Sequence, residues 1–347
     1  MSKMFKSFTI KGKEAKNRIV YPPMVIFDKD VKDGMISDGV KDYYKAVAKA
    51  GCAIMVVEAT AVADNGLLHQ TVLGIWDDRF IEGLSALPVI AHENGAIALI
   101  QLVHGGGKAA ETTNIVAPSN HRFESRFGEN DARALTSDEI ESMKASFVAA
   151  GVRAKKAGFD GIELHSCHGY LLNQFLSNET NKRDDIYGKE KSKIVVDIIK
   201  EMRKQVGEDF IISIRMPGND PNLTTCIAYA KQFEAAGVDL FHISAGILPD
   251  APNDLAYEEN PNYNWIVATG IEIKKHVSKP VIVVNGIRTP EQANHILDQT
   301  DVDFVAIARG YVCDLNWTEK AKSNESVIKC ISCKKCLRFT GIYNCVL

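Results

Sequence analysis

Eight short apolar runs alternate with amphipathic helical stretches, and this alternation constrains the fold more than any other feature of the chain. The runs fall at 18–22, 53–58, 97–102, 161–165, 210–215, 240–244, 281–285 and 304–308. Most are continuous β-branched or apolar sequence, not an alternation of apolar and polar. Strands buried on both faces read this way, and parallel sheets bury both faces. The stretches between them carry helix punctuation. Thr136 and Glu139 form a capping box, and Thr289-Pro290-Glu291-Gln292 forms a second with proline in the first turn. Ala-Gly joints at Ala50-Gly51, Ala157-Gly158 and Ala236-Gly237 close helices immediately before strands, and the last two are followed by Asp160 and Asp239.

The expected fold is therefore α/β: a single-domain (β/α)8 TIM barrel. An open doubly wound sheet is the alternative, but no GxGxxG follows the first strand. A short N-terminal hairpin around 5–14 is expected to close the barrel floor. The barrel is expected to occupy 1–323, with a cysteine-bearing C-terminal tail over 324–347. Two long connections, 105–135 and 169–191, follow the third and fourth strands, at the end where a barrel carries its active site.

Charge and hydropathy remove whole classes of function. The formal charge is −3 and no cluster of Lys or Arg lies near the predicted strand ends, which argues against nucleic acid. No run approaches the ~18 apolar residues of a membrane span, and the N-terminus lacks the apolar core of a signal peptide. The expected location is cytoplasmic, and the composition is compatible with a homo-oligomer. In that compartment eight cysteines read as thiols or metal ligands before disulfides.

Polar residues gather where the predicted strands end, and in a barrel those ends share one mouth. Asn285-Gly286 and Ala308-Arg309 follow strands seven and eight, a common phosphate position; the alternative is a plain Asn-Gly turn. Gln101 can donate and accept at once, which suits the pyrimidine-like edge of a flavin. Arg215 can stabilise negative charge on such a ring, although position alone favours a structural ion pair. His165, His168 and Tyr170 crowd the end of strand four. Two imidazole N–H groups on one carbonyl oxygen would polarise it, and Tyr170 could act as the acid. A satisfied core histidine beside a solvated one is the simpler reading, but the trio beside a long loop weighs against it. His104 is expected to shape its glycine loop or the flavin edge, and the remaining histidines to be structural. No metal is assigned to these mouth residues.

The run E-L-H-x-x-H-G-Y-L-L-x-Q-F-L-S-x-x-x-N-x-R-x-D-x-Y-G, from Glu163 to Gly188, resembles the central motif of the old yellow enzyme family of FMN-dependent ene-reductases. N-R-I-V-x-x-P-M at 17–24, E-A-T at 58–60 and Q-L-x-H-x-G at 101–106 resemble its first three strands. The resemblance implies that Pro23, Met24, Ala59, Gln101 and Arg215 hold the flavin ring. It further implies that Asn285, Gly286, Ala308 and Arg309 hold the FMN phosphate. His165 and His168 would bind the electron-withdrawing oxygen of an enone-type substrate, with Tyr170 as catalytic proton donor and NAD(P)H as electron donor. Three positions depart from the pattern. Val25 stands where many relatives carry Cys or Thr, Lys108 follows Gly107 in place of Arg, and KEKSKIVVD replaces S-x-E-N-R after Gly188.

The tail reads Cys330-x2-Cys333-x2-Cys336-x8-Cys345. The first three have the spacing of an iron–sulfur run, and zinc is also compatible. A branch of the family that includes bacterial 2,4-dienoyl-CoA reductases carries a [4Fe–4S] cluster there, with different spacing. A metal-free tail packed on the barrel ranks ahead of a cluster. A cluster would make this chain the flavin subunit of a larger electron-transfer complex, the alternative to a self-contained enzyme. An RNA-modifying FMN barrel is disfavoured by the charge, and a purely binding barrel by the trio at strand four.

Overall fold

In the computed structural model, which describes residues 2–125, 128–333, Cys336 and Cys345, eight parallel strands close on themselves in chain order. They are β1 Ile19–Tyr21, β2 Ile54–Ala61, β3 Ile97–Val103, β4 Gly161–His165, β5 Ile211–Pro217, β6 Leu240–Ser244, β7 Val281–Val284 and β8 Phe304–Ala306. Pairing of Val305 with Ile19 and Ala306 with Val20 joins the last strand to the first. The outer helices are α1 Asp38–Lys49, α2 Ala86–Glu93, α3 Ser137–Lys156, α4 Lys193–Val206, α5 Leu223–Ala236, α6 Trp265–Lys274 and α7 Pro290–Gln299. Two short helices, α8 Arg309–Cys313 and α9 Trp317–Ser323, follow β8. The expected barrel is the observed fold.

The reasons are local. Both expected capping boxes form, at Thr136/Glu139 and Thr289/Gln292. All three Ala-Gly joints place the glycine at positive φ, between 90° and 119°, where a Cβ would be strained. Helix α4 buries Ile194, Val195, Ile198, Ile199, Met202 and Val206 on one stripe. Each such side chain contributes roughly 1.5–3 kcal/mol of burial, so a charge at Ile198 would break the packing of α4 against the sheet.

Inside the barrel the floor and the mouth differ. Ile54, Ile97, Leu99, Ile211, Leu240 and Phe304 form an apolar plug over the hairpin Phe8–Ile10/Lys13–Ala15, which closes the floor as expected. Phe8 meets Phe304 edge-on at 5.3 Å, under the Arg18 guanidinium. Above the plug the interior turns polar. Strand β2 runs further than its apolar stretch indicates, and its register shifts between Val57 and Thr60. The irregularity turns Ala59, not Glu58, toward the mouth. The long connection after β3 holds a small sheet of Val116–Ala117, Gly128–Ala134 and His121–Ser125, an element absent from the sequence reading. Among the described residues no helix is long and apolar enough to cross a membrane.

Candidate active site

The strand ends deliver their polar residues to one cavity of about 420 Å³ at the barrel mouth. All twelve residues singled out in the sequence line it: Pro23, Met24, Ala59, Gln101, His165, His168, Tyr170, Arg215, Asn285, Gly286, Ala308 and Arg309. A larger, shallow groove of about 790 Å³ lies outside the barrel along α3 and α4. Its charged lining of Lys144, Asp197 and Arg153 is taken up in surface ion pairs, with none of the convergence seen at the mouth.

The polar layer beneath the cavity is built by register. Gln101 pairs with Glu163 across β3 and β4, and Arg215 lies between His165 and His242 across β4, β5 and β6. The Gln101 amide donates to Glu163 Oε1 at 2.8 Å, and His242 Nδ1 lies 2.9 Å from Glu163 Oε2. All three side chains are buried. One Gln101 N–H is therefore committed to the protein, which leaves its other N–H and its carbonyl for a ligand.

Arg215 is buried and makes no ion pair among the described residues, and its Nε has no partner. The structural ion pair favoured by position alone is not there. A buried guanidinium without a counter-charge is costly, so the geometry suits an anionic ligand edge.

His165 ends β4, and His168 sits in the following turn with φ of 59°. Their rings lie 5.2 Å apart, and Tyr170 meets His165 edge-on at 4.9 Å. His168 Nε2 is 2.8 Å from Ser244 Oγ, a partner the sequence reading lacks. Hydrogen bonding there leaves Nδ1 as the free nitrogen of that ring. Burial, followed by the Arg215 charge, pushes both histidines well below their usual value, so both are neutral imidazoles at pH 7. Burial pushes Tyr170 up to about 12, which keeps its hydroxyl protonated. That hydroxyl has no hydrogen bond to protein among the described residues. Cys167 brings a thiol within 3.6 Å of His165 Nδ1, and the three side chains are close enough to hold a metal. Burial pushes that thiol up to about 12, and Arg215 adds positive charge beside it. Both effects oppose a dication.

Neighbouring residues shape the rim. His104 accepts from Gly106 N–H at 3.0 Å and lies 3.1 Å from Asn65 Oδ1, and burial pulls its pKa down to about 4. It shapes its glycine loop, one of its two expected roles. Lys108 donates to the His168 carbonyl at 3.2 Å, bracing the turn that carries the histidine. Val25 lines the cavity and offers no hydrogen bond. Asn285 and Gly286 both have positive φ, and Asn285 Oδ1 accepts from Asn264. Arg309 donates to Ser332 Oγ at 3.2 Å.

Ser244, Arg288 and Cys330 also line the cavity; Arg288 belongs to the strand-seven end expected at the mouth, whereas Ser244 and Cys330 were not assigned to it from sequence. Ser244 ends β6 and was open to the same strand-end rule. Arg288 follows the Asn-Gly turn by two residues. Cys330 had no local signal, because only the path of the tail brings it there.

Comparison with known proteins agrees with this geometry. The model of the NADH:flavin oxidoreductase / NADH oxidase family matches residues 3–327. The chain is 38% identical over 333 residues to an NADH oxidase of Thermoanaerobacter brockii, covering 92% of this chain and 50% of that protein. It is 34% identical over 329 residues to an NADPH dehydrogenase of Halalkalibacterium halodurans, covering 92% and 94%. The chain thus spans half the length of the first relative and nearly all of the second. Among solved structures, the barrel superposes on a 2-naphthoyl-CoA reductase in complex with 2-naphthoyl-CoA with a TM-score of 0.89 at 23% identity, over 98% of this chain and 56% of that one. It superposes on an old yellow enzyme homologue from Zymomonas mobilis with a TM-score of 0.82 at 23% identity, over 99% of both chains. These two structures share the fold.

Proposed function

Because the chain belongs to the NADH:flavin oxidoreductase / NADH oxidase family, that of the old yellow enzymes, we propose that it is an FMN-dependent enzyme that takes hydride from NAD(P)H and reduces the C=C bond of an α,β-unsaturated carbonyl or similarly activated alkene. The observation that carries this reading is Arg215, a buried cation without a protein counter-charge beside the half-committed amide of Gln101. Those two groups fit the anionic, hydrogen-bonding edge of a reduced flavin ring. Pro23, Met24 and Ala59 would line the ring, and Asn285, Gly286, Ala308 and Arg309 would hold the phosphate. When bound, FMN supplies the two-electron hydride chemistry.

The chain's own residues do the rest. Neutral His165 and His168 offer N–H donors to the substrate's electron-withdrawing oxygen. Neutrality matters, because an imidazolium pair there would repel the Arg215 charge. Losing one such donor costs on the order of 10²–10³ in rate. Tyr170, protonated at neutral pH, gives its proton to the alkene carbon next to that group. Glu163 and His242 act indirectly, by fixing the Gln101 amide. The site is a positioning and polarising device in which Tyr170 alone of these protein groups gives up a proton.

An anaerobic visible spectrum of the purified protein, with NADH and then cyclohexenone added, tests the proposal. Paired flavin bands should bleach with NADH and return with the enone. Absence of flavin bands after reconstitution with FMN would overturn it. Bleaching without return on the enone would leave the flavin assignment and reject the alkene.

A further inference from the structure

A neutral imidazole carries one N–H, so a histidine that donates to a ligand must accept from the protein at its other nitrogen. His165 and His168 each have a protein partner, and the two partners meet different ring atoms. Ser244 Oγ lies 2.8 Å from His168 Nε2, and Cys167 Sγ lies 3.6 Å from His165 Nδ1. We propose that Ser244 and Cys167 are positioning residues that hold the two histidines in opposite tautomers, His168 with its proton on Nδ1 and His165 with its proton on Nε2. The proposal rests on the reading that both rings donate to one substrate oxygen.

The backbone builds both contacts. Ser244 and Cys167 are buried. The His168 N–H donates at 3.0 Å to the carbonyl of Ala245, the residue after Ser244, and Lys108 holds the His168 carbonyl at 3.2 Å. Those two bonds set the turn, with its φ of 59° at His168, against the end of β6. On the other side the Ser166 N–H donates to the Arg215 carbonyl at 2.8 Å, which holds Cys167 beside β5.

Chemistry gives each bond its direction. Sulfur is a weak acceptor and an imidazole nitrogen a good one, so the thiol proton points at His165 Nδ1. Burial pushes that thiol up to about 12, so the proton is present at pH 7. Ser244 can donate or accept, and the cavity decides between the two roles. Arg215, Arg288 and Arg309 line it, and among its described lining residues there is no carboxylate, so it suits a ligand oxygen that accepts. An Nδ1 lone pair would repel that oxygen, whereas an Nδ1–H attracts it. The Ser244 hydroxyl therefore gives its proton to Nε2. Solvated histidine favours Nε2–H, so His165 keeps its ordinary tautomer and His168 is driven into the rarer one. With no ring acceptor left facing the ligand, this end of the cavity selects a carbonyl or nitro oxygen over a hydroxyl, whose own proton finds no ring nitrogen to receive it.

The test uses the full chain with isotope-labelled histidine, ligand-free and after loading with FMN. Long-range proton–nitrogen NMR correlations at pH 7 show which nitrogen of each ring carries the proton. Signals lost in H165N and in H168N assign the two rings. His168 should be Nδ1–H and His165 Nε2–H. S244A should return His168 to Nε2–H and slow enone reduction by about 10²-fold, the cost of one lost donor, whereas S244T keeps the hydroxyl and should restore both. In C167A the His165 Nδ1 resonance should move to that of an unbonded ring nitrogen. Should a variant misfold, the spectrum of the unmodified chain decides by itself. Both rings as Nε2–H, a proton on His165 Nδ1, or an imidazolium in either ring would overturn the proposal. The tautomers are read without turnover. The expected spectrum in a chain that leaves enones untouched would therefore reject the alkene reading and keep this one.

Discussion

The two ends of the barrel satisfy their buried polar groups in opposite ways. At the floor three aspartates, Asp239 buried and Asp160 and Asp303 half-buried, each have two jobs. Asp160 Oδ2 accepts from Ala98 N–H at 2.8 Å, and its other oxygen pairs with Lys13 at 2.9 Å. Asp239 Oδ2 accepts from Ile212 N–H at 3.0 Å and also pairs with Arg203 and Lys11. Asp303 accepts from Val281 N–H at 2.9 Å and pairs with Lys274. Each aspartate therefore accepts an N–H from the first or second residue of a neighbouring strand and ties it to a helix or to the hairpin. The mouth is the reverse. Among the described residues that line the cavity, Arg215 Nε and Arg288 Nε are buried with no partner. Satisfied groups stabilise a fold, whereas orphaned groups cost stability and await a ligand. The floor holds the barrel together, and the mouth is strained toward binding.

Four measurements would break or sharpen this contrast, from the largest expected effect downward. Asp239→Ala leaves the Ile212 N–H without a partner and the half-buried Arg203 without its carboxylate, so urea unfolding should show a loss of roughly 3–5 kcal/mol. FMN affinity of the remaining folded fraction should be unchanged; a selective loss of FMN would dissolve the distinction between the ends. Tyr170→Phe should slow alkene reduction by on the order of 10³ while flavin reduction by NADH continues. Stopped-flow traces with equal loss in both half-reactions would remove Tyr170 from the acid role. Arg215→Leu should lower NADH turnover by about 10² and leave the ligand-free protein at least as stable. A large drop in its melting temperature would mean that Arg215 belongs with the floor residues.

Per site and per pH unit, the smallest effect is a pH dependence. His104, His165, His168 and His242 are all held below 6.5 in the fold, mainly by burial. Above 6.5 neither state binds the extra protons, and stability is flat on their account. Below 6.5 the unfolded chain takes up protons that the fold refuses, so stability falls with acidification. The loss is about 1.4 kcal/mol per pH unit for each histidine. At the floor, Asp160 is held below 3.8 and keeps its contribution until the pH falls through that value. Acid loss between pH 6.5 and 4 should therefore come from the mouth. Urea midpoints of ligand-free protein across that window should flatten in the double variant His165→Asn/His168→Asn. An unchanged slope would transfer the effect to His104 and His242.

Much of this was legible in the chain itself. Continuous β-branched runs, capping boxes and glycine joints act over a few residues, and they imposed strands, helices and turns at the expected places. Strand ends marked the mouth, because a parallel barrel sends every strand's C-terminal end to one face. The resemblance from Glu163 to Gly188 then attached a chemistry to those ends. What the chain did not disclose depends on distant neighbours. Asp160 and Asp239 were visible only as residues after a joint; their double duty appears once strands 62 and 27 residues away lie beside them. Glu163 reaches Gln101 across 62 residues and His242 across 79, so this polar layer has no local signature. Arg215 looked like one half of an ion pair, and only the closed barrel reveals that no carboxylate is there to meet it. Periodicity and capping are short-range and written in the sequence, whereas the charges that meet at the mouth are set by closure of the barrel, which only the tertiary structure decides.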